Sequence, residues 1–288
     1  MRHGTTLSPQ VLSLSELLSD GYGEIRSYVE VSEGRTAAKK YVVSCESGIR
    51  LFGKVREGAL TRRDRYINSL LIELANAGLP LCAPIAFGET QDGRFSSSVY
   101  PLLEHSPALS MDSISRQAMV VELGRSLRTF HELTRIDQDA CLSLARQIRG
   151  DLEWLESRGA LQHRTKGTAL HALQLLEHIP HRNACLIHGD LHGSNVMYDG
   201  NRLILCDFDS AYYSDPLLDL AILRRQSSPA VFSAVMEGYG DISPLLDQKF
   251  VDCLDAAFLL RQEKGAFEAS AATSPSEEDT HARIGKLT

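Results

Sequence analysis

The run His188-Gly189-Asp190-Leu191-His192-Gly193-Ser194-Asn195, followed by Cys206-Asp207-Phe208-Asp209, supplies one carboxylate, then an amide and a second carboxylate behind it. Phosphoryl transfer asks for such a set. It needs a carboxylate to orient a hydroxyl and accept its proton, oxygen ligands that hold Mg²⁺ on the phosphates, and a cation against the same phosphates. Asp190 suits the first role. Asn195 and Asp207 suit the second, since Mg²⁺ takes one or two protein oxygens and keeps several waters. The turn sequence Asp199-Gly200-Asn201 predicts a hairpin that returns Val196–Tyr198 against Leu203–Cys206, bringing Asn195 near Asp207.

Any single Asp of this group is by type more often a turn or helix cap than a catalyst. The ordered combination favours catalysis. A rival reading takes His188, Asp190 and His192 as metal ligands of a hydrolase, but no companion His cluster with metal spacing appears elsewhere.

The elements that must carry this set change along the chain. Ser27–Val31, Lys39–Cys45 and Arg50–Val55 read as three strands of a meander, rich in Val, Tyr and Ile. A helix over 62–77 follows, with Ile67, Leu70, Leu71 and Leu74 at helical spacing before Gly78-Leu79-Pro80. Two further strands are expected at Pro84–Phe87 and Phe95–Tyr100. Beyond Met111 the pattern turns helical, over Ile114–Leu133, Asp139–Ser157 and Thr168–His178. Short strands at Cys185–Ile187, Val196–Tyr198 and Leu203–Cys206 then bracket the chemical motif, and helices resume at Leu217–Arg225, Ala230–Glu237 and Pro244–Arg261. After Glu268 the composition reads as a frayed or disordered tail.

The residues Leu186–Asn195 and Leu205–Phe208, with Asp215-Pro216-Leu217-Leu218-Asp219-Leu220-Ala221 after them, resemble the aminoglycoside phosphotransferase family and its choline kinase-like and protein kinase relatives. Cys206 stands where that family often has Ile. The resemblance is contiguous over this stretch and, from Glu24 to Tyr100, lies in the order of elements. It implies an α+β, bilobal, protein-kinase-like fold. Residues 1–102 would form a small antiparallel-sheet nucleotide-binding lobe, 103–268 a mainly helical lobe, and 269–288 the tail.

The resemblance also implies ATP as phosphoryl donor, with GTP an alternative, Mg²⁺, and a small-molecule hydroxyl acceptor. By position it makes Asp190 the catalytic base, Asn195 and Asp207 the metal ligands, Lys54 the phosphate-binding lysine and Asp219 a brace for the catalytic loop. Arg50 and Arg56 compete with Lys54. The acid expected to pair with that lysine is assigned to Asp64, which shares the stripe of Ile67, Leu71 and Leu74, rather than Glu73. Ser32-Glu33-Gly34-Arg35-Thr36 falls where the family covers the phosphates, though without a Gly-x-Gly-x-x-Gly pattern. Tyr100 and Leu102 fall where backbone would face adenine.

Composition bounds the partners. With 288 residues, 43% hydrophobic, the chain can bury a substantial core. Residues 1–102 carry 12 Lys and Arg against 11 Asp and Glu, a balance of +1; the remainder carries 18 against 26, a balance of −8, so nucleic acid is not an expected partner. The acidic part suits a cationic acceptor such as an aminoglycoside or another antibiotic; choline-like alcohols, amino alcohols and sugars stay open, as does an ATP-binding regulatory module without turnover. Six scattered cysteines predict reduced thiols in a cytoplasmic protein. No membrane segment is expected, and oligomeric state is not legible.

Overall fold

The computed structural model describes residues 7–31, 38–103, 114–179, 182–199, 201–241 and 248–273. The turn Ser32–Thr36 and residues 274–288 of the expected tail lie outside them. The chain divides into two compact units: one of residues 1–130, 191–211 and 227–239, the other of 131–190, 212–226 and 240–288.

The first unit opens with a helix that the sequence reading left unassigned, α1 (Pro9–Tyr22). Its start signal is present in Ser8-Pro9: the Ser8 hydroxyl accepts from the Val11 N–H, and Pro9 opens the first turn, where it sacrifices no helical hydrogen bond. Strands β1 (Ile25–Val31), β2 (Lys39–Cys45), β3 (Arg50–Glu57), β4 (Ala86–Glu89) and β5 (Phe95–Pro101) form an antiparallel sheet in the order β1-β2-β3-β5-β4. Side chains alternate across it. Leu51 and Val55 of β3 and Val99 of β5 bury against Val11, Leu14 and Leu18 of α1. Between them, Gly53 leaves room for Leu14, whose methyl carbons would stand 2.7 and 2.8 Å from a Cβ built there.

The opposite face of the same strands carries Phe52, Lys54 and Arg56, registered against Tyr100, Ser98 and Ser96. Helix α2 (Arg62–Asn76) is fixed by a capping box between Thr61 and Asp64 and buries Ile67, Leu71 and Leu74. A hairpin of β7 (Val196–Tyr198) and β8 (Leu203–Leu205) belongs to this unit, paired Val196 to Leu205. So do most of α3 (Ile114–Leu133) and α7 (Pro229–Tyr239).

Helices α3 and α7 approach almost backbone to backbone. A Cβ at Gly124 would stand 2.1 Å from the Val235 carbonyl oxygen, and one at Gly238 would stand 1.8 Å from that of Val121. We expect Gly124→Ala to lose about 2 kcal/mol net, because overpacking against backbone falls at the upper end of about 1–3 kcal/mol, against about 1 kcal/mol gained from helix propensity. Urea unfolding of the variant checks the sign.

The second unit is mainly helical, with α4 (Ala140–Ser157), α5 (His163–Leu176), α6 (Leu217–Gln226) and α8 (Gln248–Thr273). Helix α5 begins at His163, five residues ahead of the expected start at Thr168, and takes Gly167 into its interior. Helix α8 continues past Glu268 to Thr273. The short strand β6 (Cys185–Ile187) pairs with β9 (Tyr212–Ser214), which the sequence reading did not anticipate.

Candidate active site

Lys54 is the natural starting point, since a lysine ammonium has to be paid for when buried, and this residue is 7% exposed. Its Nζ donates to Asp207 Oδ1 at 2.7 Å and to Asp209 Oδ2 at 3.2 Å, and sits 5.5 Å from the centre of the Tyr100 ring. Burial works to depress this ammonium, yet Asp209, Tyr100 and Asp207 outweigh it and hold Lys54 above the ordinary lysine range. Burial likewise pushes Asp207 up, but Lys54 overrides it and keeps the carboxyl below the usual range. The pair is therefore charged at neutral pH.

Asp207 comes to this position by a backbone turn. Its φ of +64° is the left-handed conformation, and it begins the turn Phe208–Ser210 directly after β8. Asn195 lies at the same open end of the hairpin, just before β7, where the Cys206 N–H donates to the Asn195 carbonyl at 2.9 Å. The two residues named as metal ligands thus leave adjoining strands side by side. The hairpin is tied down further: Cys82 N–H donates to Leu205 O, Leu205 N–H donates to Pro80 O, and the Arg63 guanidinium binds the Ala211 carbonyl.

A narrow cleft opens beside this group, lined by Lys54, Arg56, Asp64, Cys82, Tyr100 and Asp209 among others. Burial pushes the Tyr100 phenol up to about 12. Asp64 borders the cleft but spends its carboxylate on Thr61, accepting from its N–H at 3.2 Å and its hydroxyl at 2.7 Å. The partners of Lys54 are Asp207 and Asp209. Arg56 binds Asp209 at 2.6 Å. The sequence reading did not single out Asp209, although Asp207-Phe208-Asp209 offered a second acid in plain view. Leu102 follows the last residue of β5.

In the second unit, Asp190 is exposed and ends a loop held from behind. Asp219 Oδ2 accepts from the His188 N–H at 2.7 Å, its Oδ1 accepts from the Gly189 N–H at 2.8 Å, and His131 Nε2 lies 3.1 Å from Oδ2. The Asp190 N–H in turn donates to His188 Nδ1 at 3.3 Å, and Arg261 binds the Gly189 carbonyl. The brace implied for Asp219 is what the structure displays. His188 is fully buried and serves the loop's packing. Among the described residues no group of three or more His, Cys, Asp and Glu is placed to hold a metal ion. Nor is any described helix long and apolar enough to cross a membrane.

Burial would raise Asp219, but the hydrogen bond to His131, then the charges of His131 and His188 and the Gly189 N–H, hold it below the usual range. Asp219→Asn is therefore expected to cost about 3 kcal/mol above pH 5, the upper range for a hydrogen bond to a charged group, since it removes a buried carboxylate that accepts from two backbone N–H groups. The gap to the parent protein should narrow as pH falls below about 4, because protonation removes the contribution of a group whose folded pKa is depressed. Asp215, which burial pushes upward, acts in the opposite sense but equally in both proteins. Parallel thermal melts from pH 3 to 7 read the difference.

A model of the phosphotransferase enzyme family (APH) matches residues 27–248. Among solved structures, a protein assigned as a fructosamine-3-kinase from Haemophilus somnus 129PT superposes with a TM-score of 0.67 at 15% identity, covering 93% of each chain. APH(2″)-IIia, solved with GDP and kanamycin, gives 0.64 at 14% identity over 95% of this chain and 96% of its own. Spectinomycin phosphotransferase APH(9)-Ia, bound to AMP, gives 0.59 at 17%, over 91% and 94%. At these identities the likeness is one of fold, which is protein-kinase-like. A curated relative, the bifunctional tRNA threonylcarbamoyladenosine biosynthesis protein of Methanothermobacter thermautotrophicus, is 35% identical over 71 residues, 21% of this chain and 13% of that protein. Because the family match takes in Lys54 and the entire stretch from His188 to Asp219, the chain belongs to the phosphotransferase enzyme family and is a small-molecule phosphotransferase.

Proposed function

We propose that the protein moves the γ-phosphoryl group of ATP to a hydroxyl of an amine-bearing, polyhydroxylated small molecule of the aminoglycoside type. The observation that carries the nucleotide half is the buried Lys54 held between Asp207 and Asp209 at the wall of a cleft. A lysine kept cationic in such a place is suited to triphosphate oxygens. The backbone near Tyr100 and Leu102 is assigned to adenine. Asp64, occupied by its helix cap, is left with no more than a supporting part at the cleft rim.

The donor set fits magnesium. Asn195 and Asp207 offer an amide and a carboxylate oxygen on adjoining strands, too few for an all-protein cage and appropriate to an ion that shares its coordination with phosphates and water. When bound, Mg²⁺ would neutralise charge developing on the phosphate oxygens. Asp190 orients the acceptor hydroxyl and takes its proton. Chelation is expected to abolish turnover and added Mg²⁺ to restore it, followed by nucleoside diphosphate release.

For the acceptor, the balance of −8 over residues 103–288 and the aminoglycoside and fructosamine names among the structural neighbours point the same way. Both describe sugars carrying amines, whose cations suit an acidic surrounding. The test is a panel of aminoglycosides, amine-linked sugars, amino alcohols and neutral sugars with Mg²⁺-ATP or Mg²⁺-GTP, read by mass spectrometry for a gain of one phosphate. Product confined to neutral sugars would refute the acceptor class. Nucleotide binding with no product across the panel would favour a regulatory module.

A further inference from the structure

Two thiols, Cys82 on the wall of the Lys54 cleft and Cys206 next to Asp207 in the chain, have no part in phosphoryl transfer. Leu81 and Leu205 form a parallel bridge. It is closed by Leu205 N–H donating to Pro80 O at 2.9 Å and Cys82 N–H donating to Leu205 O at 2.8 Å. In a parallel pair the residues one step past the bridge also lie side by side, with side chains on one face. Here those residues are Cys82 and Cys206. The spacing of paired strands, about 4.8 Å, falls inside the Cα separation of about 4.4–6.8 Å that a disulfide spans.

The Cys206 thiol donates to the Ile204 carbonyl at 3.6 Å, and hydrogen bonding to Cys206 lowers the Cys82 thiol below its ordinary range. Both residues are partly exposed, whereas Cys45, Cys141, Cys185 and Cys253 are buried. Cys82 also lines the cleft, so a small oxidant entering there reaches it.

We propose that Cys82 and Cys206 are a reversible oxidation site, joined as an intrachain disulfide by a hydroperoxide or a low-molecular-weight disulfide. With hydrogen peroxide, the Cys82 thiolate attacks one oxygen; the O–O bond breaks, hydroxide leaves and a sulfenic acid forms. The Cys206 sulfur then attacks the Cys82 sulfur, forming S–S and breaking S–O, and the hydroxyl departs with the Cys206 proton as water. Two electrons pass from the thiol pair to the peroxide. A dithiol reverses the step by exchange. The bond would cross-link the strand that carries Asp207 to the segment following α2.

Disulfide mapping tests this without reference to catalysis. The folded full chain is treated with hydrogen peroxide, alkylated and digested without reductant. The expected result is a linked peptide pair containing Cys82 and Cys206, with both thiols lost to alkylation and recovered by dithiothreitol. In Cys206→Ser the oxidised Cys82 should instead persist as a sulfenic acid that dimedone captures. Full alkylation of both residues after peroxide treatment, or linkage of either to a different cysteine, would overturn the proposal.

Discussion

Asp190→Asn should lose about 10³-fold in turnover, within the range of about 10²–10⁴ that a positioned proton acceptor contributes, while its melting temperature stays near that of the parent. The asymmetry follows from where the residue sits. Asp190 is exposed, and the loop that presents it is held by others: Asp219 on the His188 and Gly189 N–H groups, and Arg261 on the Gly189 carbonyl. The asparagine keeps the shape and a hydrogen-bond acceptor but cannot take a proton. Exposed substitutions of this kind change stability by about 0.5 kcal/mol or less. Steady-state kinetics beside a thermal melt separate the two effects. A large drop in melting temperature would mean that Asp190 is structural.

Asp207→Asn should be comparably severe, at about 10³-fold, since on the proposed function it removes the charged oxygen donor for the metal, a contribution of several kcal/mol at about 1.4 kcal/mol per tenfold. Asparagine is the informative replacement. At φ of +64° an alanine would add backbone strain of about 1–2 kcal/mol, whereas Asn tolerates this conformation well. Asn also retains an oxygen toward Lys54, and Asp209 still balances the buried ammonium. The loss should therefore appear in kcat and in the Mg²⁺ requirement more than in folding. A variant that keeps its metal dependence unchanged would remove Asp207 from the metal.

What the chain discloses by itself divides along physical lines. The sheet and most helices were legible because strand alternation and helical spacing are local properties of runs such as Lys39–Cys45 and Ile67–Leu74. The grouping of Asn195 with Asp207 was legible because a hairpin register is set by the residues at its turn. Helix α1 was passed over although Ser8-Pro9 marks its start, because its apolar face gains meaning only against Leu51, Val55 and Val99 of the sheet. For a related reason the sequence showed the stripe of Asp64 but not the cap that engages its carboxylate with Thr61. The carboxylates that meet Lys54, Asp207 and Asp209, lie more than 150 residues from it in sequence, and no local pattern reports so distant an ion pair. The neighbouring thiols Cys82 and Cys206 were hidden likewise, because their pairing depends on one isolated parallel bridge.

The decisive measurement is a crystal structure of the protein with Mg²⁺ and a non-hydrolysable ATP analogue. The account predicts the ion within about 2.1 Å of oxygens from both Asn195 and Asp207, with Lys54 reaching the phosphates. A nucleotide lodged elsewhere, or an ion held by neither residue, would contradict it.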